Sequence, residues 1–264
     1  MDPLEKQQAE IRWDEHGNPH STVYNDKYFC KYNGYEEALY VCCEGNALRK
    51  RFSELDPGVK GTFTIIETGF GTGLDFCTVW QLWHETAPRS WMLHFLSVEL
   101  FPISADQIKR ALELWPALSR FKDELAACYK VLPGGIEDLY FDEKAVRLTI
   151  VFDDVVQALK RIKENDLAPA GADVWLLDGF APSKNPRMWS DEVFEVMAPL
   201  SRQGTTLSTF TVAGHVRRGL EANGFLVQRV PGYGKKNKIL TGEYRKFETR
   251  NSKSETRTEE PRVK

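Results

Sequence analysis

The chain has 264 residues, of which 42% are hydrophobic, 12% aromatic and 28% charged, the usage of an ordinary globular domain, which excludes collagen-like, coiled-coil and wholly disordered chains. No apolar run is long enough to span a bilayer and residues 1–17 lack the basic-then-apolar pattern of a signal peptide, so a cytoplasmic protein with no membrane partner is expected. The net charge of −3 conceals an asymmetry: residues 1–180 hold 19 Lys and Arg against 29 Asp and Glu, whereas residues 181–250 hold 12 against 6.

Residues 1–60 read as an extension to the core. Ser21 to Tyr24 and Leu39 to Cys43 look extended, Asn33-Gly34 breaks the chain, and a helix is expected from about Asn46 to Phe52. From Thr62 strands and helices alternate, the pattern of an α/β domain with a mostly parallel sheet. The strand Phe63–Ile66, a glycine cluster and the helix Leu74–Trp83 come first, followed by the strand Leu93–Val98 and a helix capped by Ser104. After a further helix beyond Pro116, Leu139–Phe141 and Val146–Phe152 form a hairpin, and Val155–Glu164 is helical. Then come the strand Val174–Leu177, an irregular Gly/Pro-rich loop, a helix over Ser190–Leu200, the strand Thr205–Phe210 and a helix over Ala213–Ala222. Phe225–Val230 and Lys238–Tyr244 close the sheet as an antiparallel pair. The domain spans 61–247, and the polar tail 248–264 reads as disordered or a linker. Cys30, Cys42, Cys43, Cys77 and Cys128 contain no C-x-x-C pair and no histidines at ligand spacing, so buried thiols are expected and no metal site.

In open α/β sheets ligands bind beyond the carboxyl ends of the strands. Four such ends carry chemistry here: Glu67-Thr68-Gly69-Phe70-Gly71-Thr72-Gly73 after the first strand, Glu99 after the second, Asp153-Asp154 after the third and Asp178 after the fourth. Glycines let the backbone approach a ligand, a helix N-terminus offers free N–H groups, and an acid at the next strand end suits ribose hydroxyls. A dinucleotide fingerprint needs G-x-G-x-x-G, and its third glycine falls on Leu74. The surrounding acids repel a pyrophosphate and attract the sulfonium and ammonium groups of S-adenosylmethionine, so the cationic cofactor is favoured.

Three runs then carry a family resemblance: Ile66 to Phe76, Leu176 to Pro186 (the D-G-F-A-P-x-K-N-P motif) and Thr209 to Leu220. They resemble the methyltransferase part of the bifunctional tRNA wobble-uridine enzymes of the MnmC family, and its standalone MnmD-like form, over about Trp13 to Tyr244. The resemblance implies a class I S-adenosylmethionine-dependent methyltransferase, a Rossmann-like sheet with an antiparallel last strand and a small β-rich extension. It implies methylation of the primary amine of 5-aminomethyl-2-thiouridine in the tRNA anticodon arm, giving 5-methylaminomethyl-2-thiouridine. Larger members carry a flavin-dependent oxidase domain. No second glycine fingerprint follows here, so no FAD is expected in this chain, and an oxidase acting in the same pathway is an expected partner.

By position in the family's motifs, Glu67, Gly69, Gly71 and Gly73 line the methionine end of the cofactor and Glu99 holds the ribose. The adenine contact is Asp154 or Asp153. The stretch Asn33 to Glu37 resembles the N-terminal lid, with Glu37 and Asn46 as further cofactor contacts. Only an unprotonated amine can attack a methyl sulfonium, so a carboxylate must accept its proton, and Asp178 is the candidate. Phe180 offers a stacking face for the uracil. Lys184, Arg187, Arg217, Arg218, Lys235 and Lys236 form the candidate phosphate-binding rim. Three other readings stay open: a small-amine methyl- or aminopropyltransferase, which leaves the basic residues unexplained; a non-catalytic RNA-binding subunit, which predicts no cofactor affinity; and, more distantly, an NAD enzyme.

Overall fold

A computed structural model describes residues 9–29, 34–234 and 238–245. The chain begins with a small antiparallel sheet of β1 (Ile11–Trp13), β2 (Pro19–Ser21) and β3 (Asp26–Lys27). Two short helices follow, α1 (Gly34–Ala38), continued by a π-helical turn Leu39–Glu44, and α2 (Leu48–Ser53). The alternating part runs β4 (Gly61–Thr68), α3 (Leu74–Thr86), β5 (Trp91–Val98), α4 (Ala105–Leu112), α5 (Ser119–Cys128), β6 (Ile136–Phe141), β7 (Val146–Val151) and α6 (Val155–Glu164). It ends with β8 (Ala172–Leu177), α7 (Asp191–Met197), β9 (Ser201–Thr209), α8 (Gly214–Ala222), β10 (Phe225–Pro231) and β11 (Lys238–Tyr244).

These strands form one eight-stranded sheet in the order β10-β11-β9-β8-β4-β5-β7-β6. The five central strands are parallel, and the β6–β7 and β10–β11 hairpins make both edges antiparallel. Alternation along each strand divides the core in two. Ile65, Phe95 and Leu176 pack on one face with α3 and an aromatic group in which Trp80 meets Phe141 at 4.3 Å and Phe76 meets Phe95 at 5.3 Å between ring centroids. Ile66, Leu96 and Leu177 pack on the other face against α6, α7 and α8. Burial on both faces explains why β4, β5 and β8 read as nearly continuous apolar runs. The strand order reverses between β4 and β8, so a crevice opens at their carboxyl ends.

The expected elements from β4 onward are all present, and the Ser104 cap is a full capping box with Gln107. The extension departs from expectation. Leu39 to Cys43 is helical rather than extended, and the 2.9 Å bond from Gly45 N–H to the Tyr40 carbonyl spans the five residues of a π-turn. A short apolar run carries no period that separates strand from helix, and packing of Val41, Cys42 and Cys43 into the core decides it. Likewise, Ser21 to Tyr24 leaves β2 for a turn, Thr22–Asn25, whose last residue has φ of 48°. Cys42, Cys43, Cys77 and Cys128 are free thiols, and no group of residues suited to a metal ion occurs among the described residues. Cys30 and the tail 248–264 lie outside the described residues.

Candidate active site

Beyond the carboxyl ends of β4, β5 and β8 lies a cavity of about 460 Å³, within the size range of small-molecule and cofactor sites. Its floor is the turn between β4 and α3. Gly69, Gly71 and Gly73 have φ of 92°, 53° and 73°, a left-handed backbone that side-chain-bearing residues rarely adopt. The Gly69 and Phe70 N–H groups donate to the Val98 carbonyl at 3.0 and 3.1 Å, which ties the turn to the neighbouring strand end. α3 then starts at Leu74 and directs its free N–H groups toward the turn.

Six carboxylates line this cavity, Asp26, Glu37, Glu67, Asp75, Glu99 and Asp178, against one lysine, Lys27, among the described residues. Glu67 is 2% exposed and accepts a 2.6 Å hydrogen bond from the Ser97 hydroxyl. Burial and then the charge of Asp75 push its carboxyl well above the usual range. Asp75, in the first turn of α3, accepts from the Cys42 thiol at 3.0 Å, and burial raises its carboxyl to about 6. Glu99 accepts from the N–H groups of Gly71 and Phe101, both at 2.8 Å, and burial outweighs these bonds to leave its pKa raised. Asp178 accepts from the Gly179 N–H at 2.8 Å, while its carbonyl accepts from the Thr68 hydroxyl. A chamber so rich in buried acid favours cations.

The small N-terminal sheet supplies the roof. Tyr24 and Tyr28 lie in the cavity wall, and both rings pack on Phe180. A Cβ placed on Gly71 falls 3.4 Å from the Tyr28 ring, so glycine turn and tyrosine face each other closely. The Ala181 N–H donates to the Asp26 carboxylate at 3.1 Å, which joins the roof to the loop after β8. Desolvation, then the Glu99 charge, raises the pKa of both tyrosine hydroxyls. None of Tyr24, Asp26, Tyr28, Asp75 or Cys42 was singled out from the sequence as a site residue. Asp75 follows the glycine cluster by two residues, which is a usable signal; the tyrosines have none.

The structure brings Glu37, Glu67, Gly69, Gly71, Glu99, Asp178 and Phe180 together in the lining. Gly73 caps α3 just behind them. Asn46 is buried behind the wall, outside the lining, and donates to two lining residues, the Cys42 carbonyl at 3.0 Å and the Ser208 hydroxyl at 2.7 Å. Asp153 and Asp154 lie outside the lining. Asp153 pairs with Arg161, and Asp154 caps α6 and holds Arg187 in a bidentate pair whose Nη2–Oδ1 distance is 2.7 Å. Burial works to raise the Asp154 pKa, and the Arg187 bonds outweigh it and lower it. Arg187 and Asp154, expected to serve substrate and cofactor, thus hold each other here. Arg217 pairs with Glu221 at 2.8 Å on α8. Arg218 and Lys184 are exposed, and Lys235 and Lys236 lie outside the described residues.

The residues fit S-adenosylmethionine by chemistry and by shape: acids for its cationic groups, free N–H groups of α3 for its carboxylate, and a glycine floor that a Cβ would narrow. Residues 116–245 match the family described as S-adenosyl-L-methionine-dependent methyltransferase. A crystal structure of MNMC2 from Aquifex aeolicus covers 92% of this chain and 72% of its own, with a TM-score of 0.66 at 21% identity, a likeness of fold. The class these findings point to is that of the matched family, S-adenosyl-L-methionine-dependent methyltransferases, and the sheet is Rossmann-like.

More particularly, the chain is similar to the methyltransferase part of MnmC proteins. It is 46% identical over 236 residues to the tRNA 5-methylaminomethyl-2-thiouridine biosynthesis bifunctional protein MnmC of Ectopseudomonas mendocina, covering 89% of this chain and 35% of that protein. The same named protein of Methylobacillus flagellatus is 43% identical over 237 residues, covering 90% and 35%. The chain therefore spans about a third of the length of the curated relatives it matches. No helix among the described residues is long and apolar enough to cross a membrane.

Proposed function

We propose that the protein methylates the primary amine of 5-aminomethyl-2-thiouridine at the wobble position of tRNA, giving 5-methylaminomethyl-2-thiouridine. One observation carries this reading: Asp178 and Phe180 open the loop after β8 at the edge of an acid-lined cavity over a glycine turn. Bound S-adenosylmethionine supplies an electrophilic methyl group on a sulfonium. Gly69, Gly71 and Gly73 shape the floor beneath its methionine end, Glu67 with Glu37 offsets its positive charge, and Glu99 holds the ribose. Asp153 or Asp154, at the end of β7 just outside the lining, would meet the adenine edge.

Asp178 accepts a proton from the substrate ammonium and so exposes the nitrogen lone pair, while its bond from Gly179 fixes the carboxylate in place. Phe180 steadies the base, and the enclosing walls hold nitrogen and methyl carbon in line. Lys184 and Arg218, with Arg187, Arg217, Lys235 and Lys236, place positive charge along the chain that follows Asp178, where phosphates of the anticodon arm would pass. Residues 1–60 serve as extension and cofactor lid and 61–247 as the methyltransferase domain. A cytoplasmic setting and a flavin-dependent oxidase in the same pathway complete the reading.

The experiment is incubation with labelled S-adenosylmethionine and tRNA bearing the aminomethyl nucleoside, followed by nucleoside analysis by mass spectrometry. A methylaminomethyl product is expected, with tRNA binding that weakens as salt rises. An unlabelled nucleoside pool overturns the reading.

A further inference from the structure

Around Phe180 the aromatic rings adopt two different geometries. Tyr28 meets it edge-on, at 5.1 Å between centroids and 73° between planes. Tyr24 meets it face toward face with a tilt of 30°, at 4.7 Å between centroids, and both rings line the cavity. Toward Phe101, beside the ribose-side acid Glu99, the relation is T-shaped, at 5.8 Å and 72°. Tyr24 therefore offers its flat face to the residue two positions past Asp178.

The element that carries Tyr24 is lightly held. It sits in the Thr22–Asn25 turn between β2 and β3, strands that pair at two positions, His20 with Lys27 and Ser21 with Asp26. Its own N–H donates to the Ser21 hydroxyl at 3.2 Å, and its neighbour Val23 is 53% exposed. The bond from Ala181 N–H to Asp26 anchors the base of the hairpin and leaves the tip to the contact between the rings.

Resting on the function proposed above, we propose that Tyr24 and Phe180 are the two walls of a slot that takes the pyrimidine ring of the substrate nucleotide, and that their mutual contact is the closed form of that slot. Stacked bases lie about 3.4 Å apart, so a base held between two ring faces needs about 7 Å from ring to ring. The pair must then part by about 2 Å, a displacement a two-pair hairpin tip can make without disturbing the main sheet. Tyr24 is a positioning residue: it exchanges a contact with Phe180 for a contact with the base and touches no reacting atom. Adenine is disfavoured as the occupant because toward Phe101, which follows β5, the ring planes stand at 72° and form no parallel-walled slot with Tyr24.

The test measures tRNA methylation kinetics for Tyr24→Leu, Tyr24→Phe and Phe180→Leu, with S-adenosylhomocysteine affinity by calorimetry and a melting curve for each. Tyr24→Leu is expected to raise KM for tRNA roughly five- to a hundredfold, to leave S-adenosylhomocysteine affinity within about twofold, and to be rescued by Tyr24→Phe, which keeps the face. Should Tyr24→Leu fail to fold, Phe180→Leu carries the same expectation from the opposite wall. Unchanged KM in an active enzyme overturns the slot and leaves the function standing. Lost S-adenosylhomocysteine affinity with unchanged KM overturns it in favour of an adenine wall. A wild-type protein that methylates no tRNA removes function and slot together.

Discussion

The cavity has a floor and a roof built by different means. The floor is made of strand ends and one glycine turn on a sheet buried on both faces, so each acid sits where hydrogen bonds along the sheet put it. The roof is a three-stranded sheet held by five residue pairs, three between β1 and β2 and two between β2 and β3, and it is joined to the loop after β8 by Asp26 and by aromatic rings. The difference teaches that, on the function proposed above, the sheet-borne floor would carry binding and proton chemistry, and the lightly paired roof would carry the contact with the base.

Replacing Asp178 with Asn probes the floor most severely. Methyl incorporation from labelled cofactor should fall roughly 10²- to 10⁴-fold, while calorimetric cofactor affinity stays close to wild type. A smaller effect comes from Gly71→Ala, which puts a Cβ into a left-handed position facing the Tyr28 ring. Melting and calorimetry should show a loss of about 1–2 kcal/mol in stability together with weaker cofactor binding, because this one position touches floor and roof.

Acidity sharpens the contrast further. The Asp75 carboxyl is raised to about 6 by burial, so the folded chain holds more protons than the unfolded chain between about pH 4 and pH 6. Stability from this group is therefore greatest below that window and declines as pH rises through it. A cationic ligand favours the ionised form, so cofactor affinity should climb from pH 5 to pH 7, and Asp75→Asn should flatten that climb in a calorimetric series. The mildest change is Asp26→Ala, which frees the Ala181 N–H and should cost about 1 kcal/mol of melting stability. Its larger mark should appear in KM for tRNA, and equal effects on KM and cofactor affinity would erase the division between roof and floor.

Much of the floor could be read in the sequence because its signals are local. Glu67 to Gly73, Glu99 and Asp178 each follow an apolar run, and the positive φ of the three glycines is a requirement that few other residues meet. The basic residues were legible as charge but not as partners. Arg187 and Asp154 are 33 positions apart, and only folding sets guanidinium beside carboxylate. Asn46 shows the same limit: its side chain spans 162 positions to reach Ser208 and braces the π-turn through the Cys42 carbonyl, where a cofactor contact was the reading from sequence.

By itself the sequence determined the alternation of strands and helices, the glycine turn and the acids at the strand ends, since each depends on neighbours a few residues away. Tertiary structure alone decided the π-turn, the burial of Asp75 against Cys42 and the approach of Tyr24 and Tyr28 to Phe180. These contacts join segments more than 30 residues apart or rest on packing that overrides local preference, and neither leaves a period in the chain.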